Sequence, residues 1–592
     1  MSSQLFARTS SSVEVFQGYP SFEQITPSNT KSQNDGEGES EVEGKVIQSL
    51  LSPCGRFMAK SYENKVILLI GENWENTLIE LPLKNVYDLK FSPSGNFLST
   101  WERPLVDDAE HLNCKIWHLN EHPVSTEPKY SYKVSTQSSW TLQFSQLDDY
   151  AIKSFGKELR IVKLTGENAF NFDKPFATLT TEQPFTTYQI SPAEHPTICT
   201  FTKEKSGKPA QLTIWPITTG KITKQIVTKQ FFKADSCHLK WNSLGNAILC
   251  LTTTDFDHSN KSYYGENNLY LLSFQGVNGS LGGESVRVPL GKEGPIHDFQ
   301  WSPTSRQFGV IYGFMPATIT FFDLKGNAIH SLNEQRKNTL EFAPNGKYIL
   351  VGGFGNLQGS VDILDRHDKF RCISKFSAAN TSVCKWSPGG EFILTATTSP
   401  RLRVDNGLKV WHYSGTLVFV KEYKELLKVD WRTDCPFRII KDGYLTNGNK
   451  LKDEELRQDP KLKKHQLEIH PVVTQFNLKN PNKSSSNSGA KKPAGAYKPP
   501  HARRANVVPG TNKPRSPQPT STPIPQTTAS QTSPEEKKIR SLLKKLRAID
   551  ALKVKQAEGA KLENTQVTKI ESEPKILKEL ELLGWKGEKI DS

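Results

Sequence analysis

Through the first 440 residues one pattern of apolar and polar positions keeps returning. A large apolar residue is followed by a short polar stretch rich in Pro and Gly, and then by an apolar run. Trp386-Ser-Pro-Gly-Gly-Glu-Phe-Ile-Leu-Thr is the clearest copy, and related ones begin at Leu51, Phe91 and Phe342. Trp301 opens Trp-Ser-Pro-Thr-Ser-Arg-Gln-Phe-Gly, Trp241 opens Trp-Asn-Ser-Leu-Gly-Asn-Ala-Ile-Leu, and weaker copies start at Phe144, Ile190 and Trp431. Each copy reads as a hairpin. The large residue ends one strand, Pro presets φ to about −65° at the second turn position, Gly supplies backbone freedom, and the apolar run returns as the next strand.

The nine copies lie 40 to 60 residues apart. A second alternating stretch follows most of them, as in Cys114-Lys-Ile-Trp-His-Leu, Leu159-Arg-Ile-Val-Lys-Leu, Leu212-Thr-Ile-Trp-Pro-Ile and Leu408-Lys-Val-Trp-His-Tyr, and reads as an outer strand. Several strands per unit, repeated nine times, predict an all-β fold: a nine-bladed, WD40-like β-propeller over residues 1–440. A leucine-rich or helical solenoid would need a shorter period or helical spacing, and neither is present. Residues 1–12 are polar, Val13-Glu-Val-Phe16 reads as a short strand, and residues 26–45 read as a flexible loop. The last copy leads from Trp431 to Phe437-Arg-Ile-Ile440 and then loses its pattern. Val13–Phe16 is therefore expected to supply the missing outer strand and close the ring.

Beyond the propeller the pattern stops. Residues 441–532 are expected to form a basic, Pro/Ser/Thr-rich disordered linker: from 469 to 534 there are nine Lys or Arg and no Asp or Glu. Ser533-Pro534-Glu535-Glu536 is a capping box, and it opens a C-terminal region, 533–592, of amphipathic helices. Ile539, Leu542, Leu543, Leu546, Ile549 and Leu552 share one helical face. A second helix is expected from about Glu573, with Ile576, Leu577, Leu580 and Leu583 on its apolar face.

Charge changes the picture because it is uneven. Residues 441–592 hold 30 Lys and Arg against 17 Asp and Glu, a net +13, while the whole chain carries +14. A basic appendage on a neutral body suits an anionic partner, most often nucleic acid. The eight cysteines show no Cys-x-x-Cys pairing, so a reduced, cytoplasmic setting is expected. No signal peptide and no apolar run long enough to cross a bilayer is present, so no membrane partner is expected.

Candidate chemistry is sparse. His118-Leu-Asn-Glu-His122 matches a zinc-peptidase pattern that needs a helix, but it finishes a predicted strand over 115–119 and meets Pro123. Neither a nucleophile elbow nor a phosphate loop is present, and Gly352-Gly-Phe-Gly-Asn-Leu-Gln-Gly359 reads as close backbone approach in a sheet corner. No enzyme activity, catalytic residue, metal or cofactor is expected. The basic segment Lys491-Lys492-Pro-Ala-Gly-Ala-Tyr497-Lys498-Pro-Pro-His-Ala-Arg503-Arg504 mixes cations with an aromatic ring. Lys491, Lys492, Lys498, Arg503 and Arg504 could neutralise phosphates while Tyr497 stacks on a base, and a solvated linker is the alternative. A long polar and aromatic insertion over 252–268 offers Lys261, Tyr263 and Tyr264 as a second candidate contact. The C-terminal helices could dock on the propeller, on each other, on a protein or on RNA.

Four stretches resemble the eukaryotic translation initiation factor 2A family. They are Asp255-Phe-Asp257 with Lys261-Ser-Tyr-Tyr-Gly-Glu266; Glu293-Gly-Pro-Ile-His-Asp298 with Tyr312-Gly-Phe-Met-Pro-Ala317; Gly353-Phe-Gly-Asn-Leu357; and Gly495-Ala-Tyr-Lys-Pro-Pro-His-Ala-Arg503. The resemblance implies a nine-bladed propeller with a flexible tail. It also implies association with the small (40S) ribosomal subunit and delivery of initiator methionyl-tRNA without a GTP site of its own, with mRNA or other initiation factors as further partners. The alternative is a WD-type interaction scaffold resembling the b subunit of initiation factor 3.

Overall fold

The repeat builds a ring of nine sheets, each wound outward from an innermost strand that ends at one of the nine large residues. The computed structural model describes residues 4–25, 45–433 apart from 105–107, 109, 122, 139, 206, 233 and 255–265, residues 467–480, and positions 549, 553, 570, 573, 574, 577 and 578. Blades 1 to 8 occupy residues 48–81, 86–132, 143–180, 187–231, 236–287, 296–335, 339–377 and 383–422 in turn. Each is an antiparallel four-stranded meander, except that blade 3 gains a fifth strand, Gly220–Ile222, parallel to Ala177–Thr180. The alternating stretches read as outer strands are the third strands of their blades, and a fourth, more polar strand such as Ala328–Gln335 lies beyond.

Seven of the turns share one chemistry. Gly55, Gly95, Gly245, Gly346 and Gly390 take φ between +68° and +78°. Each donates its N–H to the carbonyl three residues back at 2.8 to 3.0 Å. Asp148 and Ser305 adopt the same left-handed conformation in blades 3 and 6 at φ 58° and 59°. The Ser that opens the turn has a role that the hairpin reading lacked. The hydroxyls of Ser52, Ser92, Ser145 and Ser387 accept the N–H of Phe57, Phe97, Tyr150 and Phe392 at 2.9 to 3.0 Å. These buried oxygens pair a backbone donor that the tight turn would otherwise orphan.

The core is a set of seams rather than one centre. An apolar cluster fills each of the nine interfaces between neighbouring blades, for example Leu249 and Leu271 with Phe308 and Phe322 between blades 5 and 6. A blade is therefore covered on both faces, which is why second strands such as Phe392–Thr397 are buried at every position.

Ring closure differs from the expectation. Only the innermost strand of blade 9, Leu426–Trp431, comes from the end of the propeller; Leu5–Thr9, Val13–Phe16 and Gln24–Ile25 complete it. The polar look of residues 1–12 hid Leu5, Phe6 and Ala7, which are at most 1% exposed. Alternation sends Leu5 and Ala7 into the seam with blade 8 and Phe6 into the seam with blade 1. Arg432 clamps that second seam, donating to Gly55 O, Gln4 Oε1, Glu72 O and Gly71 O at 2.6 to 3.0 Å and lying 4.0 Å from the Trp74 ring. Phe437 to Ile440 fall outside the described residues.

The expected linker is not structureless throughout. Helix α1, Pro471–Lys479, begins at His470, whose ring nitrogen accepts Val472 N–H, with Pro at the first helical position. Val473 and Phe476 pack on Val420 and Leu417 of the outermost strand of blade 8, and Lys409 Nζ stands 5.0 Å from the Phe476 ring. His470 N–H donates to Val418 O at 3.0 Å, covering a sheet edge. The segment is too polar to fold alone, but it folds against an apolar strand that already exists.

Residues 491–592 form a separate unit. Its described positions are helical, Ile549 is buried, and Lys553 pairs with Glu573 at 2.5 Å. Two details differ from the expectation: Ile570 is already helical, and Leu577, placed on the apolar face, is 44% exposed. A carboxylate such as Glu573 near a helix start favours extension upstream, because the N-terminal end of the dipole is positive. Among the described residues no helix is long and apolar enough to cross a membrane.

Candidate nucleic-acid interface

Lys491, Lys492, Tyr497, Lys498, Arg503 and Arg504, and likewise Lys261, Tyr263 and Tyr264, lie outside the described residues. Their frames are defined. The 255–265 loop joins the second and third strands of blade 5, Ala247–Thr253 and Asn267–Phe274, and its base is tied by Glu266 N–H to Thr254 Oγ1 at 2.8 Å. α1 fixes the chain as far as Asn480 beside blade 8, upstream of the basic segment.

Two of the stretches that carry the family resemblance lie on neighbouring blades, in the loops between second and third strands of blades 6 and 7. Second and third strands are joined on the side of the ring opposite the Pro/Gly turns, and the loops of blades 6 and 7 there hold Gly313–Pro316 and Gly353–Gly359. In blade 6, His297 Nε2 donates to Gly313 O at 2.8 Å and Gly313 N–H to Pro295 O at 3.0 Å, which presents Phe314, 55% exposed, to solvent. In blade 7, the Asn338 side-chain amide bonds both N–H and C=O of Phe354 at 2.9 Å. A Cβ on Gly353 would meet Arg336 O at 2.4 Å, and one on Gly359 would meet Ala378 O at 2.5 Å. The glycine-rich run is thus a close backbone approach, as its sequence suggests. Beside it a cavity of about 430 Å³ is lined by Asn338, Asn356, Thr381, Ser382 and Arg401. Amides, hydroxyls and a guanidinium in one cavity can bond phosphate oxygens and base edges.

The innermost strands carry a second polar system that sequence reasoning missed. Trp301 Nε1 donates to Lys240 O at 2.7 Å and Trp386 Nε1 to Glu341 O at 3.2 Å, each reaching the preceding blade. Lys240 Nζ donates forward to Phe299 O at 2.8 Å, Lys385 pairs with Asp430 at 2.8 Å, and Lys428 Nζ reaches Ser49 O at 3.2 Å across the closure. Burial pushes the Lys90 and Lys428 ammoniums below the ordinary lysine value and the Asp298 carboxyl above the ordinary aspartate value. Trp301 and Trp386 signalled strand ends in the sequence, but their indole bonds to the preceding blade need the ring to exist.

His118 ends the strand Cys114–His118, where its ring stacks on Phe97 and Nδ1 lies 3.1 Å from Glu121 Oε1. Glu121 also pairs with Lys129 at 2.9 Å, so the apparent peptidase motif is a strand end with a local ion pair; His122 lies outside the described residues.

Comparison with known proteins decides the family. Residues 229–429 match the family model of Eukaryotic translation initiation factor eIF2A, and residues 537–583 match the model of its C-terminal domain. The chain is 56% identical to Eukaryotic translation initiation factor 2A of Saccharomyces cerevisiae, over 99% of this chain and 100% of that one. It belongs to the eukaryotic translation initiation factor 2A family. The Schizosaccharomyces pombe member is 38% identical, with 90% of this chain and 92% of that one covered. A solved structure described as the eukaryotic initiation factor superposes with TM-score 0.62 at 33% identity, covering 73% of this chain and 99% of that one. The b subunit of eukaryotic translation initiation factor 3 from Yarrowia lipolytica is 23% identical over 68% of this factor and 62% of that chain.

Proposed function

We propose that this translation initiation factor associates with the small (40S) ribosomal subunit and brings initiator methionyl-tRNA to it, acting by binding in the cytoplasm, with no nucleotide site, metal or cofactor of its own. One observation carries the reading: of a net charge of +14, residues 441–592 hold +13. In this reading 1–440 is the scaffold, 441–532 is an RNA-contacting linker interrupted by α1, and 533–592 provides helices for docking. Lys491, Lys492, Lys498, Arg503 and Arg504 meet phosphates, Tyr497 stacks, and the 255–265 loop with Lys261, Tyr263 and Tyr264 is the auxiliary contact.

The test is a salt titration of tRNA and 40S affinity. If roughly five cations meet phosphates, log affinity falls with log salt at a slope of about −3 to −5. Changing the five Lys and Arg to Gln flattens the slope and weakens binding without altering the melting of the propeller. Tyr497→Ala weakens binding with little change in slope, since stacking releases no counterions. A five-Gln protein that binds like its parent, with the same slope, moves the contact elsewhere. The likeness to the b subunit of initiation factor 3 favours a second reading, a protein-binding scaffold. Ribosome co-sedimentation that survives ribonuclease treatment of the free RNA and five-Gln substitution would favour that second reading.

A further inference from the structure

A cavity of about 1410 Å³ is lined by the inner strands of blades 2 to 6 and, between blades 2 and 3, by the stretch 132–135 and the second-strand residue Lys153; it reaches the surface past Lys133 and Ser135. Its lining includes Lys90, Lys133, Lys153, Lys240 and His238, and no Asp or Glu. The nearest carboxylates are occupied by N–H donors. Asp88 accepts from Leu89 N and Trp140 Nε1 at 2.9 and 3.0 Å, and Asp298 accepts from Phe299 N and Leu340 N at 2.8 Å. Lys240 is 3.6 Å from Asp298. Lys90 donates to the Thr141 hydroxyl at 3.1 Å with Asp88 acting on it through space, and Lys153 stands over the Tyr132 ring at 4.1 Å with Tyr130, Phe155 and Phe172 at 5.4 to 5.9 Å, so neither makes an ion pair with a carboxylate among the described residues. Burial pushes both ammoniums down, a cost that a bound anion would offset.

The same lining holds three half-buried aromatics, Tyr188, Trp241 and Trp301, and the amides of Gln143, Gln189 and Gln300. We propose that this cavity binds a short single-stranded stretch of RNA, with phosphates at Lys90, Lys153 and Lys240 and bases on Tyr188, Trp241 and Trp301. The volume exceeds the roughly 300–1,000 Å³ of a site for one small ligand, so it suits more than one nucleotide. Cations with interleaved aromatics are the means by which single strands are held without reading sequence. The site is distinct from the basic tail and does not rest on the tail's proposed role.

The experiment uses the full-length chain with the five tail cations changed to Gln, and a short oligouridylate carrying 4-thiouridine as probe. Ultraviolet crosslinks are expected in peptides spanning 132–154, 185–192 and 237–241. Lys90→Gln with Lys153→Gln should weaken binding about tenfold and reduce the salt slope by about 1.4, two contacts at about 0.7 each, while the Arg pair restores both. Should the Gln pair melt early, the crosslink map of the unaltered propeller still decides. Crosslinks confined to other surfaces overturn the proposal. Displacement by UTP or pyrophosphate as readily as by oligouridylate, with no gain from chain length, also overturns it, in favour of a free nucleotide or polyphosphate.

Discussion

Glu341, on the innermost strand of blade 7, has a carboxyl raised to about 7, chiefly by burial and then by Asp298, with Lys240 and Lys385 opposing. Below its ordinary value of 4.5 the group is protonated in both folded and unfolded chains. Between 4.5 and 7 the unfolded chain releases the proton and the folded one keeps it, so stability falls as pH rises; above 7 the loss is constant. The shift corresponds to a loss of at most about 3 kcal/mol. Glu341→Gln stays neutral, so its urea stability should exceed the parent's at roughly pH 8 and match it near roughly pH 4.5. An equal gain at both pH values would show that packing, not titration, is responsible. No sequence pattern marks Glu341, because the charges that act on it, Lys240, Asp298 and Lys385, sit on blades 5, 6 and 8.

At the scale of elements, α1 shows how a polar stretch acquires structure. Its apolar contribution is two side chains, Val473 and Phe476, and the surface they need belongs to blade 8. Phe476→Ala should reduce docking by about 2 kcal/mol. Amide protection over 472–476 should then drop about thirtyfold in hydrogen exchange while the propeller melts as before. Unchanged protection would mean that the His470 bond to Val418 holds the segment without Phe476. The blade strands, in contrast, were legible, since each repeat writes its own turn.

For the whole molecule, closure is the vulnerable step. Deleting residues 1–20 removes Leu5–Thr9 and Val13–Phe16 and leaves Leu426–Trp431 without its partner, so the melting temperature of the entire ring should fall. Removing 27–42, between Gln24–Ile25 and the first strand of blade 1, should leave it nearly unchanged. Arg432→Ala should cost about 3 kcal/mol, since several carbonyls across the seam lose a charged donor. Equal melting of the two deletions would refute the closure.

The sequence alone determined the repeat, the nine units, the turn positions and the separation of a neutral body from a basic tail. Those features are local: a Pro/Gly turn and an apolar run are fixed by neighbours within ten residues or by simple counting. What the tertiary structure decided is everything that joins distant segments. Leu5 to Ala7 look unremarkable until Leu426–Trp431 lies beside them, and Arg432 has no meaning until Gly55, Glu72 and Trp74 surround it. The large cavity is the extreme case. Lys90, Lys153, Tyr188 and Lys240 come from four blades, and only closure of a ring, which sets strands 150 residues apart around one axis, places their side chains in a common space.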